Sequence, residues 1–174
     1  MLLGTLTLLF GAGNLSETRE IQFSAISPSP FQTADVRSYV SVTKIIDGDT
    51  IDVLMDGKKE TVRFIGIDTP EVHDPRKPVQ CFGKEAWDRA KELLDGKQVR
   101  LEPDVSQGDR DKYNRLLRYV YLEDATLVNK LLIQEGYAHE YTYRIPYTYQ
   151  VEFEDAERDA REQKRGLWAD GVCL

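Results

Sequence analysis

The sequence predicts an α+β domain in which a small five-stranded β-barrel carries three α-helices. Two observations carry that expectation. Three strand-like runs separated by Asp-Gly turns lie between Tyr39 and Asp68. Beyond them, three runs with apolar residues at helical spacing alternate with short strands rich in Val, Leu and Tyr. The 174 residues suffice for one domain with its own core, and 41% hydrophobic with 30% charged residues is the balance of a globular chain.

The elements follow in order. Residues 1–13 are apolar and uncharged, too short to span a bilayer as a helix. They resemble the h-region of a secretory signal that has lost its basic start. Residues 14–38 are polar, carry a Ser-Pro-Ser-Pro run and read as a linker, so the folded domain is expected over 39–174. Residues 40–46 alternate as a first strand, and Asp47-Gly48-Asp49 is a turn signal. The second strand spans 50–55, with Ile51, Val53 and Met55 on one face, and Asp56-Gly57 is a hairpin turn into a third strand over 59–67. This meander is expected to be antiparallel. Residues 75–79 form a loop with Pro, Lys and Arg. A helix over 84–94 repeats Ala86, Trp87, Ala90, Leu93 and Leu94 on one side and stops at Gly96. A strand over 98–102 shows Val99 and Leu101 on one face. Residues 106–114 lack periodicity and read as a loop, followed by a strand over 116–122, a short helix over 126–134 stopped by Gly136, and a last strand over 137–143. The terminal helix spans 149–165, with Val151, Phe153, Ala156 and Ala160 inside, and Trp168 folds back onto the core. A closed barrel of OB type accommodates this order.

Net charge is -7 with a pI near 5.0, which argues against broad attraction of a polyanion. Any nucleic-acid site must be a local basic patch, a metal, or both. The crowd of Glu152, Glu154, Asp155, Glu157 and Asp159 reads as a solvated helix face.

Four segments carry chemistry: Asp47-Gly48-Asp49-Thr50, Arg63, Asp68-Thr69-Pro70-Glu71 and Asp111-Lys112-Tyr113-Asn114-Arg115. Asp49 and Asp68 lie at strand ends that a meander can bring to one rim. Thr69 precedes Pro70, is biased to an extended backbone and offers its carbonyl. Two carboxylates, a carbonyl and waters suit a hard cation such as Ca2+. Arg63 and Arg115 can grip a phosphate through forked hydrogen bonds. Glu71 can take a proton from water. Together this is a kit for metal-assisted phosphodiester cleavage. Arg63 and Asp68 are five positions apart, so strict alternation would point them to opposite faces. For both to reach one site the strand must bend between them, and Gly66 is the natural place, an expectation that follows from the functional reading. Lys112, Tyr113 and Arg115 form a basic-aromatic cluster, and Asn114 sits where a tight turn tolerates positive φ. Tyr141 and Tyr143 share a face and either stack on a base or pack. Read singly, Asp49 can merely close a turn, Arg63 can be a surface strand residue and Glu71 a solvated loop carboxylate. Cys81 and Cys173 fit no zinc spacing and would pair in an exported protein.

These motifs, with Gly83-Lys84-Glu85-Ala86 and Gly166-Leu167-Trp168, resemble the staphylococcal nuclease (thermonuclease) family in order and spacing from Ser41 to Trp168. The resemblance implies a five-stranded barrel with three helices and a Ca2+-dependent nuclease acting on DNA and RNA to leave 3′-phosphates. It implies that Asp49 and Asp68 are the metal carboxylates and that Thr69 gives its carbonyl. Arg63 and Arg115 take the positions that bind the scissile phosphate, and Glu71 that of the general base. Lys112, Tyr113 and Tyr141 match nucleotide-contacting positions, and Tyr143 matches the second tyrosine. Two departures stand out: Asn114 replaces a glycine, and the chain is acidic where the best-known member is basic. The expected protein is secreted or envelope-associated and monomeric, with no transmembrane span and no stable protein partner. The alternative is a catalytically silent barrel that binds single-stranded nucleic acid. The retained carboxylates and arginines favour the enzyme.

Overall fold

In the computed structural model, residues 39–72 and 78–173 are described. The signal-like segment and linker read over 1–38 lie outside them, as does residue range 73–77, which includes most of the expected loop. Among the described residues no helix is long and apolar enough to cross a membrane.

Among the described residues seven strands and three α-helices follow one another: β1 Tyr39–Asp47, β2 Thr50–Met55, β3 Lys58–Phe64, β4 Ile67–Asp68, α1 Gly83–Leu94, β5 Gln98–Glu102, β6 Leu116–Tyr121, α2 Val128–Gln134, β7 His139–Glu140 and α3 Gln150–Glu162, with a 3-10 turn at Gly166–Trp168. Five strands close a barrel in the order β1-β2-β3-β6-β5. The meander is antiparallel, as expected, and β3 closes onto β6 in parallel. Asp56 and Gly57 both have positive φ, 51° and 74°, the turn that matches the twist of paired strands. β1 has register shifts after Val42 and Ile45. Such bulges bend a strand, and the bend lets β1 pair with β2 on one side and β5 on the other. Ile51, Val53, Val62, Phe64, Val99 and Val120 fill the interior.

Three expectations need correction. The third strand does not run to Ile67. It ends at Phe64, turns at Ile65 and Gly66, and resumes as the two-residue β4. Gly66 has φ +78°, and a Cβ there would lie 2.6 Å from the Tyr147 ring and 2.9 Å from Phe153, so the bend requires glycine for both conformation and space. The last strand is only His139–Glu140, which pairs antiparallel with β4 as Ile67↔Glu140 and Asp68↔His139. Val151 is not inside α3 but 70% exposed, whereas Phe153, Ala156 and Ala160 are buried. Two residues are about 200° of helical rotation, which sends Val151 to the side opposite Phe153. Trp168 packs edge-on to His139 and under Arg161, while its neighbour Leu167 is the buried residue.

The bend is anchored from behind. Asn129 of α2, fully buried, donates to Ile65 O at 2.8 Å and accepts from Val120 N at 2.9 Å. Cys81, before α1, and Cys173, beyond α3, are joined by a disulfide across 92 positions.

Candidate active site

The β1–β2 turn and the exit of β4 meet at one rim of the barrel. Asp49 Oδ1 accepts from Thr50 Oγ1 at 2.9 Å, and its Oδ2 accepts from the backbone N–H of Thr69 at 2.9 Å. Gly48 makes that approach possible: a Cβ on it would lie 2.8 Å from Thr69 side-chain atoms. Thr69 is buried, and its Oγ1 has no hydrogen-bond partner among the described residues.

Arg63 faces Thr50 across the β2–β3 ladder. Its guanidinium spans the bend. Nη1 donates to Ile67 O at 2.8 Å and Phe64 O at 3.1 Å, and lies 3.2 Å from Asp49 Oδ2. Nη2 donates to Asp68 Oδ1 at 2.8 Å. The bend at Gly66 therefore brings Arg63, Asp49 and Asp68 together, although alternation along an unbroken strand would have separated Arg63 from Asp68. Partial burial raises the Asp68 carboxyl above its ordinary value, Arg63 opposes it, and the negative charges of Asp49 and Glu71 add to it.

Glu71 is half-buried beside this group. Its backbone N–H donates to Gln80 Oε1 at 2.7 Å, and its carbonyl accepts from Gln80 N at 2.9 Å. Its side chain shares a hydrogen bond with the carboxyl of Asp47. Asp47 is only 8% exposed. Burial, the Glu71 hydrogen bond and the negative charges of Glu71 and Asp49 push its carboxyl up to about 8. Sequence reasoning treated Asp47 as part of a turn and missed this contact. The Asp-x-Asp spacing was a signal, but two adjacent strand ends had to be placed before it could be read.

Arg115 sits two residues before Leu117, the register partner of Arg63 in the parallel β3–β6 pair. Its Nε and Nη2 lie 2.7 and 2.6 Å from Asp111 Oδ2. Asp111 Oδ1 accepts the backbone N–H groups of Tyr113 and Arg115, each at 2.9 Å. Burial alone would raise the Asp111 carboxyl, but the N–H and guanidinium of Arg115 outweigh it and hold the group below its usual range. Asp111, given no role by the sequence motif, thus shapes the turn and aims the arginine. Asn114 has φ 65°, so the residue in place of a glycine adopts the left-handed turn. Lys112 and Tyr113 are exposed, with Lys112 Nζ 4.9 Å and Arg115 Cζ 5.4 Å from the Tyr113 ring centroid. Tyr141 and Tyr143 are exposed with ring centroids 6.3 Å apart, so neither is core packing. Tyr141 N donates to Gly66 O at 3.0 Å, which places it beside the bend.

Among the described residues, no group of three or more His, Cys, Asp or Glu forms a ready metal cage. Asp49 and Asp68 are held by Arg63 instead. The donor set nonetheless fits a hard cation. It is all oxygen, and beside it lies the buried Thr69 hydroxyl, without a hydrogen-bond partner among the described residues.

A family model for staphylococcal nuclease homologues matches residues 61–170, which takes in Arg63, Asp68 to Glu71 and Asp111 to Arg115. Thermonuclease of Staphylococcus hyicus is 41% identical over 154 residues, 86% of this chain and 89% of that protein. Thermonuclease of Staphylococcus intermedius is 41% identical over 143 residues, 80% of this chain and 83% of that protein. Endonuclease YncB of Bacillus subtilis (strain 168) is 42% identical over 132 residues, 75% of this chain and 61% of that protein. With its barrel, its three helices and these matches, the chain belongs to the staphylococcal nuclease family and is a hydrolytic nuclease.

Proposed function

We propose that this nuclease is a Ca2+-dependent phosphodiesterase that cleaves DNA and RNA and leaves the phosphate on the 3′ side. Asp49, Asp68 and the Thr69 carbonyl would hold the ion, which when bound supplies positive charge to the phosphate and to water. Glu71 takes a proton from the attacking water. The water oxygen bonds to phosphorus, and the bond to the 5′-oxygen breaks. Arg63 and Arg115 stabilise the charge that builds on the phosphoryl oxygens. Asp111 pre-orients Arg115 for this, leaving little reorganisation for the moment of reaction. Lys112, Tyr113, Tyr141 and Tyr143 hold the nucleotide, the lysine by charge and the exposed rings by stacking.

One observation carries the reading. At a single rim the fold sets Asp49 and Asp68 on the Arg63 guanidinium, with the paired carboxyls of Asp47 and Glu71 close enough to act on them. A fold selected only for stability has no use for that crowding. The signal-like N-terminus and the Cys81–Cys173 bridge support export to an oxidising compartment.

The test is nicking of supercoiled plasmid DNA by the full chain with Ca2+ and with EDTA, beside the Glu71→Gln variant. Cleavage that needs Ca2+ and is lost in Glu71→Gln is the expected result. Equal cleavage in EDTA would remove the metal from the mechanism.

A further inference from the structure

The roles above leave Gln80 and the disulfide beside it without a task. Gln80 is exposed, yet both its backbone N–H and its side chain are committed to one residue, while its carbonyl accepts from Gly83 N at 3.0 Å. Gln80 Oε1 accepts from Glu71 N at 2.7 Å, and Gln80 N donates to Glu71 O at 2.9 Å. An exposed glutamine has water as a ready competitor, so a two-point contact across nine positions needs something to hold its ends in place.

Two features do so. Cys81, the next residue, is tied to Cys173 at the far end of the chain. Gly83, at the start of α1, packs directly on the segment: a Cβ there would lie 3.0 Å from Glu71 O and 3.1 Å from Pro70 O. The bridge, Gln80, Asp68 and Thr69 also line one open cleft of about 390 Å³. The backbone of Glu71 is therefore fixed on the Gln80 side, and its carboxyl is held on the other side by Asp47.

We propose that Gln80 is a positioning residue for Glu71, and that the Cys81–Cys173 bridge keeps it in place. This rests on the reading of Glu71 as the proton acceptor. Glu71 follows Pro70 directly, and its carboxylate must meet a water within hydrogen-bond reach. A shift of its backbone by an ångström is enough to spoil that geometry, which sets an expected loss of about tenfold or more in kcat. A residue that acts only through Glu71 should change kcat and leave KM and Ca2+ affinity alone.

The test is steady-state cleavage of a single-stranded DNA oligonucleotide in saturating Ca2+ by four variants of the full chain: Gln80→Leu, Gln80→Glu, Glu71→Gln and the double Glu71→Gln/Gln80→Leu. Gln80→Leu removes the acceptor. It should lower kcat about tenfold with KM within about twofold of wild type and the melting temperature unchanged. Gln80→Glu keeps an acceptor oxygen and should restore most of the rate. The double variant should be no slower than Glu71→Gln, because a positioning residue has nothing left to position. If Gln80→Leu proves poorly folded, Gln80→Ala removes the same bond. Wild-type kcat in a folded Gln80→Leu or Gln80→Ala beside an inactive Glu71→Gln overturns the proposal alone. So does a double variant slowed by the full product of the two single losses. An active Glu71→Gln overturns the reading of Glu71 and this proposal with it.

Discussion

Asp47 and Asp104 are both buried carboxyls, 8% and 5% exposed, and the protein treats them in opposite ways. Asp104 lies among donors. It accepts from Tyr119 OH at 2.5 Å, from Thr148 N at 2.7 Å, and from the N–H and hydroxyl of Ser106, both at 2.8 Å. Burial alone would raise its carboxyl, but these hydrogen bonds overcome that and hold it well below the usual range. Asp47 lies among acceptors. Beyond the N–H of Gly48 it meets Glu71 and Asp49, and it is driven up to about 8. A chain able to satisfy one buried carboxylate so fully has left another crowded by its own kind. The Asp104 network fastens loops to the barrel, whereas Asp47 shares its corner with other carboxyls, the crowding on which the proposed cation site rests.

Glu71→Gln should give the sharpest break in the comparison. At the rim it removes the proton acceptor of the proposed mechanism, and turnover should fall by about 10² to 10⁴ with the folded state intact, as read by kinetics beside circular dichroism. Asp104→Ala should do the reverse. It strands the buried Tyr119 hydroxyl and the Thr148 N–H, and should cost about 3 kcal/mol of stability in urea unfolding, while the folded fraction stays active.

The smaller effect is in pH dependence, where the two carboxyls should have opposite signs. Asp104 is depressed in the folded state, so its contribution is present above about pH 4 and lost as the solution becomes more acidic. Asp47 is raised from 3.8 to about 8. Between those values the folded chain keeps a proton that the unfolded chain has released, so stability falls as pH rises. In EDTA that slope reaches at most about 1.4 kcal/mol per pH unit. Asp47→Asn should flatten it, read from unfolding midpoints between pH 4 and 8. An unchanged slope in Asp47→Asn would assign the effect to another group.

Sequence alone reached much of this, where local rules were sufficient. β2 lies where alternation and the Asp56-Gly57 turn placed it, and β5 where Val99 and Leu101 did. The bend at Gly66 was expected only by requiring Arg63 and Asp68, five positions apart, to reach one site. The rest depended on tertiary contact. β7 is two residues long because only His139 and Glu140 find a partner in β4, and no periodicity marks that limit. Val151 is apolar but on the wrong side of its helix. The contacts of Asp47, Gln80 and Asp111 escaped notice because their partners are set by turn geometry and loop closure, which composition does not reveal. Tyr141 and Tyr143, which the sequence left between stacking and packing, are exposed and are not core residues.

On the proposed function, the rim is a cation site. Calorimetric titration of the full chain with Ca2+ near neutral pH tests it most directly, run on wild type and Asp68→Ala. Wild type should bind Ca2+ saturably and Asp68→Ala about tenfold or more weakly, with a matching loss of the thermal stabilisation that Ca2+ confers. Equal Ca2+ affinity in the two proteins would contradict it.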